Sequence, residues 1–484
     1  MSKLIIAEKP SVAKSIASAL GASSRADGFY EGSGLLVSWC VGHLVSPMDA
    51  GGYDENFKKW RYDDLPILPE PFRYVLAPGK EDAFENLRVL MNRPDVDTIV
   101  NACDAGREGE LIFRLVYEMT GCRKPVLRLW ISSMEDSAIR EGFSDLHPGT
   151  DYEALYQSAL CRQKADWLVG INATRLFSVL YHRTLNVGRV QTPTLAMLAE
   201  RDAKITLFHK EKYHLLRLTL DGTEAVSEKF TDPTEAEQAA VMCKGAAVTC
   251  TSVTKEQKKE QPPKLYDLTT LQREANRLFG YTAKQTLDYA QSLYEKKLLT
   301  YPRTDSRYLT SDMAETASCV IHLAAKLPPF DGCGNFFPLV EAMISDKEVS
   351  DHHAIIPTME IEKADIKALP LGERNLFLLV CCKLLCASAE PYEYEAVTAT
   401  FDCGGQSFTA KGKRILSEGW REIDRIFRTF LKEKPADGDG DVLPDFTEEQ
   451  TFDGAEVAVT EHFTQPPKPY TEAICCERGI RNRP

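Results

Sequence analysis

Residues 298–309 read LLTYPRTDSRYL, with a tyrosine at 301 one place before a proline and two before Arg303. The segment before it, Thr282 to Leu298, carries Leu287, Ala290, Gln291 and Leu293 at mixed three- and four-residue spacing, which predicts a helix. Pro302 cannot continue a helix and biases Tyr301 towards extended backbone. Tyr301 therefore stands on a loop or strand after a helix, where a side chain is presented rather than packed. A phenol is a poor nucleophile at its ordinary pKa of about 10 and needs a cation beside it. Arg303 supplies one and could also grip a phosphate oxygen. Taken alone, the same residues read more simply as a buried tyrosine beside a surface ion pair of Arg303 with Asp305.

Outward from this stretch, residues 268–299 read as helical, and Glu373 to Ala389 as an apolar helix containing Cys381, Cys382 and Cys386. Asp351-His352-His353 opens a short AIIP strand. Alternating patterns flank the unit. YHLLRLTL and AAVTCTSV precede it, with a helix at about Pro233 to Cys243 between them, and Ala396–Phe401, Ser407–Thr409 and Glu456–Thr460 follow. Residues 255–264, KEQKKEQPPK, read as a charged, Pro-rich connector. A helical unit of about 265–390 is thus expected between two β segments, held out on a pair of β arms.

At the other end, KLIIA (3–7) reads as a buried strand, followed by Glu8-Lys9-Pro10 and a helix from about Ser11 to Leu20. TIVNAC (98–103) reads as a second strand, followed by Asp104-Ala-Gly-Arg-Glu-Gly-Glu110 and the helix LIFRLVYEM. Glu8, Glu108 and Glu110 each suit a helix start, where a negative charge is favoured. Acids at the ends of parallel strands, however, sit where α/β sheets place ligands, and they can converge on a hard cation such as Mg²⁺. Asp151 to Phe177 is strongly helical and carries Arg162, Lys164, Asp166, Trp167 and Arg175. Asn186-Val-Gly-Arg-Val-Gln-Thr-Pro193 leads into a helix ending near Asp202. Gly188 permits close backbone approach, and Arg189 and Gln191 can donate to phosphates or bases; the same segment also suits a plain corner between two helices.

The 484 residues exceed one core, so three or four domains are expected. Net charge is −13, which at first argues against nucleic acid, but Lys434 to Glu461 holds nine acids and one lysine and accounts for −8. The other 456 residues share −5, leaving room for a local basic groove. The 14 cysteines form no C-x-x-C pair, which points to a reducing cytoplasm without zinc ribbon or disulfide framework. No stretch reads as a membrane span or a signal peptide. Asp437–Asp441 reads as a solvated loop.

In IIAEKPSVAKSIA, DAGREGELIFR, ADWLVGINATR, VGRVQTPTLAML, YDLTTLQREANRLFGY, LLTYPRTDSRYL and DHHAIIPT, the chain resembles the bacterial type IA DNA topoisomerases of the topoisomerase III branch. The segments follow the family's order and span about residues 1–473. The resemblance implies a multidomain α/β and α+β fold enclosing a toroidal hole. Its parts would be a Rossmann-like toprim domain (1–150), a DNA-binding helical base (151–208), a β-rich gate arch (209–264 and 391–469) and an inserted helical domain with the catalytic tyrosine (265–390). It implies an ATP-independent isomerase: Tyr301 attacks a single-stranded DNA phosphate, a 5′-phosphotyrosine holds the break, another strand passes, and the 3′-hydroxyl reseals. Arg303 would position tyrosine and phosphate, Glu8 would protonate the leaving oxygen, Lys9 would bind the scissile phosphate, and His352 would support the cleavage site. Glu8, Asp104 and Glu108 would hold Mg²⁺. Asn186, Val187, Gly188, Arg189, Val190 and Gln191 match the DNA-contacting segment, with Arg162, Arg175 and Trp60 as further DNA candidates. Family analogy adds a helicase or recombinase partner, a monomeric state and a cytoplasmic location.

Two departures stand out. The middle acid of the toprim D-x-D-x-E pattern is Gly106, so Mg²⁺ would rest on Glu8, Asp104 and waters, in a weaker, single-ion site. After Ala473 the chain reads ICCERGIRNRP, unlike the family, so 470–484 is expected to be the aberrant start of a truncated helical base with an exposed apolar face and reduced stability. The competing readings are a catalytically silent DNA-binding remnant and another toprim enzyme, a primase or nuclease. The last accounts for Glu8 and Asp104 but not for TYPRTD or VGRVQTP.

Overall fold

In the strand Ser2–Ala7, four successive residues from Leu4 to Ala7 are buried, because the strand is covered on both faces. Leu4 and Ile6 enter one hydrophobic cluster, and Ile5 and Ala7 enter another. The computed structural model describes residues 2–220, 222–332, 338–349, 351–433, 443–453 and 456–472. Ser2–Ala7 pairs in parallel with Leu35–Trp39 on one side and Val96–Ala102 on the other. Val126–Arg128 continues the parallel run, and antiparallel strands close both edges of this seven-stranded sheet. The helix Pro10–Leu20 supplies Val12, Ala13, Ile16 and Ala17 to the cluster on one face, while Glu81–Met91 and Arg107–Met119 cover the other. This is the doubly covered, Rossmann-like arrangement, and it brings the ends of Ser2–Ala7 and Val96–Ala102 side by side.

Glu153–Leu180 is a single long helix, and Gln191–Thr206 is a second. The first buries only Tyr156, Ala159, Arg175 and Ser178, and the second buries no residue. Phe177, Leu180, Leu195 and Leu207 stand exposed on or beside them.

A second seven-stranded sheet is antiparallel, with Val248–Glu260, Tyr392–Cys403 and Gln406–Ser417 as its long central strands. The helical unit leaves this sheet after Val248–Glu260 and returns at Tyr392–Cys403. Its core surrounds Leu371–Ala387, a helix buried on nearly every side, with Cys381, Cys382 and Cys386 packed inside.

Three local expectations are corrected. Residues 255–260 are strand rather than connector: Lys255 to Glu260 pair with Tyr392 to Val397. This ribbon is solvated on both faces, so no alternating apolar residue marked it. The expected helix over 268–299 is two, Leu268–Phe279 and Ala283–Glu295. Gly280 caps the first in a left-handed conformation at φ 69°, and Thr282 with Gln285 forms a capping box opening the second. The AIIP segment is no strand: Ile355 and Pro357 each form one isolated bridge, to Tyr266 and Leu299. The Asp437–Asp441 loop and the stretch 473–484 lie outside the described residues.

Candidate active site

The first strand ends at Ala7, and Glu8 and Lys9 follow before Pro10 opens the next helix. Next to it, Val96–Ala102 ends and the chain runs through Asp104-Ala105-Gly106 into Arg107–Met119. The turn closes tightly: a Cβ on Gly109 would lie 2.1 Å from the Asp104 carbonyl oxygen. Arg128, fully buried, holds the same turn by donating to the carbonyls of Asn101, Cys103, Leu129 and Asp104 at 2.7–3.0 Å. Glu110 balances it, 3.2 Å from Arg128 and 2.9 Å from Arg114. Glu110 is therefore a buried structural partner, and its helix-start position is incidental.

The helical unit brings the other half. Its loop after Ala283–Glu295 is laced to 352–356: Thr300 N–H donates to Ile356 O at 3.0 Å, and Thr304 Oγ1 donates to His352 O at 2.8 Å. Tyr301 N–H donates across to Ser132 O at 2.9 Å, docking the loop on the N-terminal sheet domain. The Tyr301 ring is 4% exposed, edge-on to Tyr294 at 5.4 Å and tilted against His352 at 4.5 Å. His352 Nδ1 lies 2.8 Å from Ser132 Oγ, its Nε2 contacts the Ala105 carbonyl, and its ring stacks on Trp130. Burial depresses its pKa to about 4, so it is neutral at physiological pH and acts as a hydrogen-bonding support.

Arg303 Nη1 is 3.3 Å from Asp104 Oδ2 and 3.3 Å from Gln291 Oε1. Lys9 Nζ donates to Glu295 Oε1 at 2.9 Å, and Ser11 Oγ donates to Glu295 Oε2 at 2.9 Å. Burial, then the charge of Asp104, pushes Glu8 up to about 7; Arg303, Lys9 and His43 oppose the rise. Burial also raises Asp104, against Arg303 and Lys9. Tyr301 is raised too, by burial and then Asp104, with the charge and hydrogen bond of Arg303 working the other way. A buried phenol, a cation beside it, a carboxyl with a raised pKa and a second cation thus converge where the N-terminal sheet and the helical unit meet. Strongly shifted pKa values in a cluster of close titratable groups are a usual mark of an acid–base site.

Glu108 does not join them. It is half-exposed, and its Oε2 lies 3.4 Å from His43 Nε2, whose hydrogen bond keeps its pKa low. Among the described residues no three His, Cys, Asp or Glu side chains are grouped to hold a metal. Glu8 and Asp104 are the carboxyls that share the charge of Arg303, with Glu108 further out on His43. These two still fit Mg²⁺, which typically takes one or two carboxylates and completes its shell with water and phosphate oxygens. Burial is the first cause of both raised pKa values, and for Glu8 the charge of Asp104 adds to it.

A cleft of about 870 Å³ runs between the 49–60 loop and the long helix, lined by Trp60, Arg175, Asn186, Val187 and Gln191 among others. Arg175 is buried, donates to Phe57 O at 2.7 Å and lies 5.6 Å from the Trp60 ring centroid, so it also orders that loop. Arg189 pairs with Asp166 at 2.7 Å and Arg162 approaches it at 3.9 Å; neither Arg162 nor Arg189 lines the cleft. Val190 is exposed, and Gly188 folds close over the Gln191 side chain.

A family model described as DNA topoisomerase matches residues 150–475, and a Toprim domain model matches residues 3–134. The chain belongs to the type IA DNA topoisomerase family. Among similar proteins, DNA topoisomerase 3 of Bacillus licheniformis and that of Bacillus subtilis are each 39% identical, over 98% of this chain and 66% of their own lengths. DNA topoisomerase 3 of Shouchella clausii is 41% identical over 87% of this chain and 59% of its own length. The chain thus spans just under two thirds of these relatives. Full-length topoisomerase I from Thermotoga maritima shares the fold, with a TM-score of 0.74 and 23% identity over 99% of this chain and 75% of that one. Toprim domains generally bind Mg²⁺, and no helix among the described residues is long and apolar enough to cross a membrane.

Proposed function

We propose that this chain transiently cleaves single-stranded DNA and reseals it, changing DNA topology without ATP. The observation that carries the reading is the convergence of Tyr301 and Arg303 with Glu8, Lys9 and Asp104 at the ends of two adjacent parallel strands. Tyr301 Oη attacks the phosphorus and loses its proton to solvent. The new Tyr–O–P bond forms as the P–O3′ bond breaks, and Glu8, protonated near neutrality, gives its proton to the leaving 3′-oxygen. Resealing runs in reverse: the 3′-hydroxyl attacks, Glu8 takes the proton back and Tyr301 leaves. The phosphoester is kept in the adduct, so no nucleotide is consumed. Arg303 and Lys9, now held by Asp104 and Glu295, turn to the phosphate when DNA enters. His352 with Ser132 keeps the tyrosine in place. Mg²⁺ held by Glu8 and Asp104 would neutralise phosphate charge.

The Trp60–Gln191 cleft is the place for the gate strand, combining a stacking ring with polar donors. Arg162 and Arg189 would contact its backbone from the rim. The domain boundaries are taken as 1–150, 151–208, 209–264 with 391–469, and 265–390. The partners are DNA and, by family analogy, a helicase; the chain acts as a monomer in the cytoplasm. The silent-remnant alternative finds no support in an assembled site. The test is relaxation of negatively supercoiled plasmid with Mg²⁺ and without ATP. Activity lost in Tyr301→Phe supports the reading, and relaxation that survives in that variant sinks it.

A further inference from the structure

We propose that Trp130 is a positioning residue for the cleavage step: its indole fixes the tilt of the His352 ring, and through it the place of Tyr301. The inference rests on the reading of Tyr301 as the nucleophile.

Arg128 ends the strand Val126–Arg128, and Trp130 and Ser132 follow it at alternate positions. Arg128 ties down the Asp104 turn. Ser132 meets His352 Nδ1 with its hydroxyl and the Tyr301 N–H with its carbonyl. Trp130 lies between them in the chain. Its neighbours Leu129 and Ile131 join the core beside the N-terminal sheet, whereas Trp130 enters none of the hydrophobic clusters among the described residues. Its ring instead stacks on His352, with centroids 5.7 Å apart and planes 9° from parallel, and its Nε1 donates to Asp351 O at 3.3 Å. Trp130 is itself held. Tyr152, just before the helix Glu153–Leu180, stacks on it at 5.0 Å, and the Arg128 guanidinium lies 5.1 Å from its ring centroid. The column Tyr152–Trp130–His352 therefore joins three separate segments of the chain and ends against the Tyr301 ring, 4.5 Å from His352.

Hydrogen bonds alone leave His352 one freedom. Ser132 Oγ meets Nδ1 and the Ala105 carbonyl meets Nε2, so two points of the ring are fixed. The ring can still tilt about the line through those two atoms. A second ring lying parallel to it stops that tilt, because offset stacking favours parallel planes. Tyr301 leans on the same imidazole, so a tilt would displace the phenol from its line of attack. A misplacement of about 1 Å can cost about 100-fold in rate.

The test is single-turnover adduct formation on a labelled single-stranded oligonucleotide, with protein in excess. The Kd for the same oligonucleotide is measured by anisotropy in a Tyr301→Phe background. Trp130→Ala should slow adduct formation by about 10–100-fold with Kd unchanged. Trp130→Phe keeps a flat ring and loses one N–H, so it should stay within about fivefold of wild type. Trp130→Leu fills space without a flat face and should be as slow as Trp130→Ala. In a His352→Ala background, Trp130→Ala should slow the reaction no further, because its effect runs through the imidazole. Thermal melting checks that each variant folds, and the phenylalanine and leucine pair decides if an alanine variant does not. A wild-type rate in Trp130→Ala, phenylalanine and leucine behaving alike, or losses that multiply in the His352→Ala background would each overturn the inference. If wild type forms the adduct and the Trp130 variants match it, only this inference fails. If wild type forms none, the assignment of Tyr301 fails with it.

Discussion

Replacing Glu8 by glutamine should stabilise the N-terminal sheet domain at alkaline pH while disabling cleavage. The folded protein holds the Glu8 carboxyl at about 7 against an ordinary 4.5. At about 1.36 kcal/mol per pKa unit, the native state thus disfavours the ionised form by at most about 3 kcal/mol. The native state binds more protons than the unfolded chain between these two pH values, so stability falls as pH rises through them. Below about pH 4.5 both states are protonated and the penalty is absent; above about pH 7 it is present in full. Glutamine fills the same space without ionising. Glu8→Gln should therefore resist urea better than wild type at about pH 8, by up to about 3 kcal/mol, and by less than about 1 kcal/mol at about pH 5. Both proteins are measured in chelator, so that a bound cation does not relieve the repulsion. Cleavage should fall by about 10²–10⁴-fold, the usual contribution of a positioned acid. A Glu8→Gln protein less stable than wild type at about pH 8, or a gain that does not depend on pH, would refute the reasoning.

Other outcomes follow from the same geometry. Gly109→Ala would put a Cβ 2.1 Å from the Asp104 carbonyl, so it should lower the melting temperature and abolish adduct formation while DNA binding by the helical base persists. Ser132→Ala removes the hydroxyl partner of His352, worth about 1 kcal/mol, and should slow cleavage several-fold with an unchanged Kd for DNA. Gly106 has extended backbone, and a Cβ there would meet only the Tyr301 hydroxyl, at 3.9 Å. Gly106→Asp should thus be tolerated and add a third carboxylate. The mid-point of the Mg²⁺-induced rise in melting temperature should move to lower metal concentration, and an unmoved mid-point would contradict the two-carboxylate assignment.

The sequence made the reacting groups legible because backbone rules exposed them. Pro302 keeps the backbone at Tyr301 out of a helix, and two apolar strands lead into acids, so Tyr301, Glu8 and Asp104 announced themselves locally. What held them was not legible. Arg128 sits in an unremarkable VLRLW stretch, and its four carbonyl acceptors come from a turn about 25 residues away and from its neighbour. Ser132 likewise acquires its role only when the helical unit docks. Glu108 and Glu110 looked alike at a helix start, yet one faces His43 and solvent and the other the buried Arg128 and the partly buried Arg114. The helix break at Gly280 carried its signals, Gly followed by T-x-x-Q, and was masked by continuous apolar periodicity on either side.

The most direct test of the central claim is covalent trapping. The chain is mixed with single-stranded oligonucleotide labelled 3′ of the cleavage site, with and without Mg²⁺, then denatured and resolved on a gel. A labelled protein band that disappears in Tyr301→Phe is the expected result, because the 5′-phosphate end stays on the tyrosine. Oligonucleotide binding without a covalent band, or a band that persists in Tyr301→Phe, would contradict the assignment of Tyr301 as the nucleophile.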